Sequence, residues 1–185
     1  MAVIISLLRG INVGGHNKIK MDALRDLYAS LGLQHVQTYL QSGNVVFRMK
    51  GRAHAKLATR IEDAIAQKFG FRIDVVLRTS SELGDVISRS PFAKRRGLDP
   101  RKLAVIFLKN PPGAECLRAA LQIQTAPEEL HIDGCEAHVY FPNGMARPKM
   151  SWPTIERALK TSGTGRNWNT VTKLFELAQA IERAV

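Results

Sequence analysis

The 185-residue sequence has no long hydrophobic segment and only two cysteines. Its longest apolar stretch, Ala2–Leu8, is far too short to cross a bilayer. The chain also lacks the basic leader and the small-residue cleavage site of a signal peptide. Cys116 and Cys135 fall in different predicted elements, so we expect free thiols and no secreted disulfide framework. These absences predict a cytoplasmic protein that does not enter the membrane.

Motifs that carry a named chemistry are missing as well. There is no Gly-x-Ser-x-Gly elbow, His-Glu-x-x-His helix or Ser-x-x-Lys motif. His131, Cys135 and His138 lie around one predicted hairpin, but three ligands without a Cys-x-x-Cys pair fall short of a structural zinc site. The sequence therefore indicates no catalytic class and predicts no metal. It leaves any cofactor unknown.

Acidic residues are few relative to basic ones. Sixteen Asp and Glu stand against 27 Lys and Arg, which gives a formal net charge of +11. A surplus of this sign attracts phosphate-bearing and other anionic partners over a long range. The basic side chains are spread along the chain, with one local run at residues 94–96 and a second group at Arg147, Lys149, Arg157, Lys160 and Arg166. Dispersed charge favours a local anion site over a groove for a polyanion.

The first half of the chain predicts a βαββαβ order. Gly32 and Gly70 follow two helical patterns, and Gly43 or Asn44 suits the positive φ of a hairpin turn. The predicted strands are residues 2–9, 36–40, 45–49 and 72–78, and the predicted helices are residues 22–31 and 57–69. This order is the ferredoxin-like arrangement, in which two helices cover one face of an antiparallel sheet.

The second half repeats part of this pattern. Ser80 is predicted to cap a short helix that stops near Pro91, and Asp133 with Gly134 forms a hairpin turn. Further predictions are a strand at residues 103–108, a helix at 114–121, hairpin strands at 129–132 and 135–141, a helix from Pro153 that breaks at Gly163, and a last helix starting near Asn169 or Thr170. We therefore expect an α+β fold of two ferredoxin-like halves: residues 1–79, and residues 80–185 with two C-terminal helices.

The polar loop from Gly10 to Lys20 follows the first strand directly. Gly10 and Gly15 have the spacing of a phosphate-binding P-loop, but His16 and Asn17 stand where that motif has Lys and Ser or Thr. Nucleotide hydrolysis by that route is therefore not expected. A long connector that needs glycine for positive φ explains the loop as well as an anion-binding role does.

Two further polar segments lie at predicted element ends. Residues 162–170 lead into the last helix, whose free N–H groups suit an anion and where Arg166 would add a bidentate fork. Capping by Asn169 or Thr170 explains part of this segment without a ligand. Around the first hairpin, turn chemistry alone accounts for Ser42 and Asn44.

Three segments, residues 7–15, 38–47 and 166–171, resemble the domain of unknown function 1697 (DUF1697) family. Weaker agreement at residues 90–92, 103–108 and 140–144 extends the resemblance over nearly the whole chain. The resemblance implies a bacterial-type cytoplasmic α+β protein with ferredoxin-like halves and no assigned substrate. The three segments are polar loops and strand ends, which carry function more often than core elements do.

Our leading hypothesis is a cleft that binds an anionic or phosphorylated small molecule. Arg9 and Arg166 would hold the charge, glycines would let backbone N–H groups approach, and polar side chains would orient the ligand. The candidate residues are Arg9, Asn12, Gly14, Gly15, Asn17, Tyr39, Ser42, Asn44, Arg166 and Asn167.

Two other functions are compatible with the sequence. The first is a nucleic-acid-binding module that uses the basic surface, with Trp152 or Trp168 for stacking, although the predicted strands lack the aromatic spacing of an RNA-recognition platform. The second is an interaction or scaffold protein whose exposed sheet face is closed in a dimer. The sequence leaves the oligomeric state undetermined.

Overall fold

The computed structural model describes residues 2–50, 56–92 and 94–184, which form eight strands and six α-helices. In chain order these are β1 (Ala2–Leu8), α1 (Met21–Ser30), β2 (Gln34–Tyr39), β3 (Asn44–Met49), α2 (Leu57–Phe69), β4 (Val75–Thr79), α3 (Ser80–Arg89), β5 (Leu103–Leu108), α4 (Ala114–Leu121), β6 (Glu129–Asp133), β7 (Glu136–Tyr140), α5 (Trp152–Leu159), β8 (Gly163–Asn167) and α6 (Trp168–Arg183). The chain divides into two compact units: unit 1, Met1–Asp85 with Lys173–Val185, and unit 2, Val86–Thr172.

Unit 1 contains a four-stranded antiparallel sheet in the order β2-β3-β1-β4. Leu24 and Tyr28 of α1 and Ile61 of α2 pack with Ile4 and Phe47 of the sheet in one apolar core. Every residue of β3 is buried, so this strand is covered on both faces and loses the polar alternation of a half-exposed strand. The helices end as predicted, since Gly70 adopts φ +81 at the end of α2.

Unit 2 contains a second antiparallel sheet in the order β6-β7-β5-β8. In this order each strand has the same position in its sheet as its counterpart in unit 1, and α4 and α5 take the places of α1 and α2. Ile155 and Leu159 of α5 pack with Ile106 of β5 and Val139 of β7. The predicted fold class of two ferredoxin-like halves is thus confirmed.

The segment before the last helix is a strand, and its prediction as a loop was wrong. Residues 163–167 form β8, which pairs with β5 from Leu108 opposite Gly163 to Ala104 opposite Asn167. Two glycines in five residues give the segment a low intrinsic preference for a strand. At Gly163 the glycine is needed for packing, because a Cβ atom would lie 2.8 Å from Cγ2 of Ile106.

Both helix caps lie earlier than predicted. Thr79, and not Ser80, caps α3: its Oγ1 accepts from the N–H of Glu82 at 3.1 Å, while a Glu82 carboxylate oxygen accepts from the N–H of Thr79 at 2.7 Å. This reciprocal pair is a capping box. In α6 the side chain of Asn167, and not Asn169 or Thr170, accepts a backbone hydrogen bond, from the N–H of Asn169 at 2.9 Å.

The hairpin of unit 2 turns one residue later than predicted. Asp133 pairs with Glu136, so the turn residues are Gly134 and Cys135. Gly134 adopts φ +59 at the first turn position, which is the place where a type II′ turn requires glycine.

The two units join equivalent elements by connectors of different length. At the ends of the central strands, the N–H of Leu8 donates to the carbonyl of Gly43 at 2.9 Å, and the N–H of Leu108 donates to that of Cys135 at 2.8 Å. From these matching points, 12 residues (9–20) lead to α1 but only five (109–113) lead to α4. Five residues therefore suffice for this topology, and the connector in unit 1 is longer than the topology requires.

One buried polar pair crosses the core of unit 1. The hydroxyl oxygens of Ser6 and Tyr28 lie 2.7 Å apart, and both residues are fully buried. Burial raises the pKa of the Tyr28 phenol, so the hydroxyl keeps its proton for this bond.

Removing both members of this pair is expected to cost less than the sum of the two single removals. Ser6→Ala or Tyr28→Phe alone leaves one buried hydroxyl unsatisfied, so each should lower the free energy of unfolding by about 1–2 kcal/mol. The double variant should cost less than the sum of the two, as urea unfolding of all four proteins will measure. Additive costs would mean that the two hydroxyls do not depend on each other.

Candidate functional site

The loop between β1 and α1 is organised by Asn12. Its side-chain nitrogen donates to the carbonyl of Ile19 at 3.0 Å and to that of Gln41 at 2.8 Å, and its side-chain oxygen accepts from the N–H of Ile19 at 2.9 Å. Asn12 itself adopts φ +55, a conformation that asparagine tolerates better than most residues. One side chain thus closes the loop and ties it to the turn between β2 and β3.

The tip of this loop is a tight turn. The N–H of His16 donates to the carbonyl of Val13 at 3.0 Å, and the two residues between them, Gly14 and Gly15, adopt φ +58 and +82. Positive φ at both central positions is the pattern of a type I′ turn, which glycine adopts without strain. Asn17 braces the base of the loop by donating to the carbonyl of Gly10 at 3.0 Å.

An open cleft of about 970 Å³ lies between this loop, the start of α1 and the β2–β3 turn. We call it the unit 1 cleft. It is lined by Asn12, Gly15, Lys18, Ile19, Lys20, Met21, Asp22 and Gln41. Of the ten candidate residues named from the sequence, Asn12 and Gly15 line it.

The charge of the cleft comes from two lysines. Lys18 and Lys20 are exposed, and neither forms an ion pair with any residue in the described part of the chain. The acidic lining residue, Asp22, is paired with Arg25 at 2.8 Å. Lys20 is the N-cap residue of α1 and its side chain makes no capping hydrogen bond. Neither lysine is among the candidate residues named from the sequence, although a Lys-x-Lys pair at the end of a polar loop and directly before a helix is a visible signal.

The remaining candidates of unit 1 make internal contacts. Arg9 lies 3.6 Å from a carboxylate oxygen of Asp74 and does not line the cleft. The side-chain nitrogen of Asn44 donates to the carbonyl of Tyr39 at 2.8 Å and to the hydroxyl of Ser42 at 3.0 Å. These hydrogen bonds stabilise the turn between β2 and β3, as turn chemistry alone predicts.

The two candidates of unit 2 are also held by their own unit. Arg166 is buried, and its guanidinium donates to the hydroxyl of Thr164 at 2.7 Å and to the carbonyl of Gly165 at 2.8 Å. Burial lowers the pKa of Arg166 to about 10, because a buried cation loses solvation. Asn167 caps α6 and donates to the carbonyl of Arg101 at 3.2 Å. That Arg9 and Arg166 share one ligand stays a prediction.

The histidines of unit 2 form a pair across β6 and β7. The ring centroids of His131 and His138 are 6.4 Å apart and His131 is exposed. His138 is buried, and its Nδ1 has no hydrogen-bond partner among the described residues. Burial, with a smaller contribution from His131, lowers the pKa of His138 to about 4. Among residues 2–50, 56–92 and 94–184, no group of three or more His, Cys, Asp or Glu side chains is placed to hold a metal ion.

The features proposed for nucleic-acid binding offer no assembled platform. Trp168 is buried, and Trp152 is half-buried against the core of unit 2. In the basic run, Arg95 is bound to a carboxylate oxygen of Glu129 at 2.7 Å and lies over the rings of Phe92 and Tyr140. The nucleic-acid alternative therefore rests on net charge.

No helix in the described part of the chain is long and apolar enough to span a membrane.

Comparison with solved structures supports the fold. The chain is similar to the conserved bacterial protein SP0830 from Streptococcus pneumoniae, with a TM-score of 0.73 and 23% sequence identity over 96% of this chain and 98% of that one. At this identity the likeness extends to the fold alone. None of the curated proteins is similar to the chain at a significant level.

The family comparison covers most of the chain. A family model described as "Protein of unknown function (DUF1697)" matches residues 1–138, which include unit 1 up to Asp85 and the loop that builds the cleft. The similar segment at residues 166–171 lies outside the matched range. The chain belongs to the DUF1697 family of proteins of unknown function.

Proposed function

We propose that the unit 1 cleft binds an anionic small molecule. The observation that carries the proposal is the pair Lys18 and Lys20, which line the cleft and have no ion-pair partner in the described chain. Basic surface groups of a folded protein often have acidic neighbours, as Arg25 and Arg72 do here. Two uncompensated ammonium groups beside one concave surface attract an anion.

The backbone adds to this attraction. The cleft contains the N-terminal end of α1, where Lys20 makes no side-chain capping bond and the helix dipole is positive. The opposing charge in the cleft is small, because Asp22 is exposed and already paired with Arg25. The lysines and the helix end therefore act in the same direction.

The comparison between the two units supports a functional origin for the cleft. In unit 2 five residues connect the equivalent strand and helix, whereas unit 1 uses 12 residues to do so. The additional residues include Asn12 and Gly15, which line the cleft, and Lys18 and Lys20, which charge it. A connector longer than its topology requires, and organised by specific hydrogen bonds, is typical of a binding loop.

Replacing the two lysines is expected to weaken anion binding selectively. In Lys18→Ala/Lys20→Ala, the affinity for inorganic pyrophosphate at low salt should fall by about tenfold or more, because charge-assisted contacts contribute about 1–3 kcal/mol each. Isothermal titration calorimetry will measure it. The matched control is Lys94→Ala/Lys149→Ala, which removes the same charge from exposed positions outside the cleft and should change affinity by less than about twofold.

The two double variants distinguish a local binding site from attraction by the net charge of the protein. Equal losses in both would show that net charge alone holds the anion, and no binding by the parent protein would remove the proposal. Thermal unfolding serves as the folding control. Since Lys18 and Lys20 form no ion pair with the residues that the structure describes, their removal should leave the unfolding temperature nearly unchanged.

A further inference from the structure

We infer that the ligand of the unit 1 cleft is an amphipathic anion, in which an acidic group is joined to an apolar ring or chain. This inference rests on the proposed function and narrows its ligand class. It follows from four properties of the cleft: its apolar lining residues, the exposed residues beside it, its occupied polar groups and its size.

The cleft combines apolar and cationic groups. Ile19 belongs to the buried core of unit 1, and Met21 is half-buried against the same core. Both line the cleft together with Lys18 and Lys20. Cationic and apolar side chains thus alternate from residue 18 to residue 21. Because all four residues line the cleft, one ligand can meet both kinds of surface. Binding sites of this composition hold apolar groups by burial and orient them with a few polar contacts.

Exposed apolar side chains lie beside the lining residues in the chain. Among the described residues, three large hydrophobic side chains are more than half exposed: Val13 (65%), Leu40 (52%) and Leu121 (53%). Val13 follows Asn12, and Leu40 precedes Gln41, and both of these neighbours line the cleft. We call Val13 and Leu40, each of which is next to a lining residue in the chain, the apolar rim.

The backbone at the rim is unusual. Leu40 adopts φ +59, a left-handed conformation that residues with a Cβ atom other than asparagine and aspartate rarely occupy. A strained position of this kind persists only where the surrounding structure holds it, and such positions concentrate at binding sites. The Leu40 side chain is 52% exposed, so much of its apolar surface lies in solvent. Contact with an apolar part of a ligand would cover it.

The Asn12 side chain has little hydrogen-bonding capacity left for a ligand. One of its N–H groups donates to the carbonyl of Ile19 and the other to that of Gln41, while its oxygen accepts from the N–H of Ile19. The charged donors of the lining are the ammonium groups of Lys18 and Lys20, which favour an anionic group.

The volume of the cleft exceeds the needs of a small inorganic anion. About 970 Å³ is near the upper end of the range for drug-sized ligands. A single phosphate would fill little of this volume. A ligand with an additional ring or chain fills more of the space and removes more apolar surface from solvent.

Two ligands that share one anionic group test this inference. Methyl phosphate and phenyl phosphate differ in their apolar part, and calorimetry at equal ionic strength compares them on the parent protein. We expect phenyl phosphate to bind at least about tenfold more tightly, since ring burial removes apolar area from water. In Val13→Ser/Leu40→Asn the preference should fall below about threefold, with methyl phosphate affinity unchanged within about twofold.

The variant is chosen so that the fold survives. Asparagine tolerates the left-handed conformation of residue 40 better than leucine does, and both side chains are exposed. The Lys18→Ala/Lys20→Ala protein should lose affinity for both phosphates. A loss of both affinities in this variant, compared with a loss of the preference alone in Val13→Ser/Leu40→Asn, separates the charged part of the site from the apolar part.

The calorimetric results test the ligand class, the apolar rim and the anion site separately. Equal affinities for the two phosphates would overturn this inference and leave the anion site standing. A preference for phenyl phosphate that persists in Val13→Ser/Leu40→Asn would overturn the assignment of the apolar rim. If neither phosphate binds the parent protein, the proposed function fails together with the inference.

Discussion

Gly43→Ala is expected to lower the free energy of unfolding by about 3 kcal/mol, from backbone strain and overpacking together. Gly43 adopts φ +75 in the turn between β2 and β3, where a side chain is disfavoured. Its surroundings are also full: a Cβ atom would lie 2.7 Å from Cδ1 of Ile11 and 2.8 Å from Cβ of Leu8. These neighbours are fully buried, so they have little room to move.

Gly70→Ala is the matched control. Gly70 lies in the same unit, adopts φ +81 at the end of α2, and has no atom within 4 Å of the added Cβ position. Its replacement should therefore cost only the conformational part, about 1 kcal/mol. Urea unfolding followed by circular dichroism will compare the variants. Equal losses would show that the contacts around Gly43 relax and that only φ matters there.

Gly43 also contacts the loop between β1 and α1. The N–H of Leu8 donates to the Gly43 carbonyl, and the side chain of Ile11, next to Asn12 in this loop, packs where a Cβ would be. Because an alanine at position 43 would press against Ile11, we expect Gly43→Ala to weaken pyrophosphate binding as well as the fold, as calorimetry will measure.

Acidification is expected to destabilise unit 2 through His138. The pKa of this buried histidine is lowered from 6.5 to about 4, and below pH 6.5 the unfolded chain binds a proton that the folded one excludes. Stability from this group is therefore complete above pH 6.5 and declines as the pH falls. Between pH 6.5 and pH 4 the loss reaches about 3 kcal/mol, and it levels off below pH 4.

The charged groups around His138 act in both directions. His131 and Arg89 favour the neutral form, whereas Asp133 favours the protonated form but is paired with Arg89 at 3.2 Å. Burial is the largest cause. His138 is only 3% exposed, so solvent screens this effect little.

His138→Phe separates this contribution from that of the carboxylates. The variant has no titrating group at position 138, so its stability should fall less between pH 6.5 and pH 4 than that of the parent protein. His131→Gln, an exposed substitution on the neighbouring strand, should keep most of the acid sensitivity. Urea unfolding at several pH values measures all three proteins. Parallel pH profiles for the parent and His138→Phe would contradict the assignment.

Element order was predictable because the signals for it are local. Apolar spacing identified α1 and α2, continuous apolar runs identified β1 and β5, and Gly70 marked a helix end. Strand β8 was missed for the opposite reason. Its residues have little strand preference, and they become a strand only because the backbone of β5 pairs with them.

The contacts of the candidate site residues could not be read from the sequence, because polar side chains look alike there whether or not they are engaged. Asn12 and Gly15 line the cleft, and the Asn12 amide also holds the loop together. The ligand role expected of Arg9 stays a prediction, and its guanidinium lies 3.6 Å from a carboxylate oxygen of Asp74. Lys18 and Lys20 do not stand out in the sequence, because basic residues are common in a chain with a net charge of +11.

The sequence by itself determined that this protein is an α+β chain of two ferredoxin-like halves. The reason is that helices and strands follow from the spacing of apolar residues, which is a local pattern. Only the tertiary structure decided which polar groups are engaged internally and which line the cleft. The Asn12 amide meets the carbonyl of Gln41, 29 residues away. Partners at that separation are set by how strands and loops pack, and no local pattern encodes them.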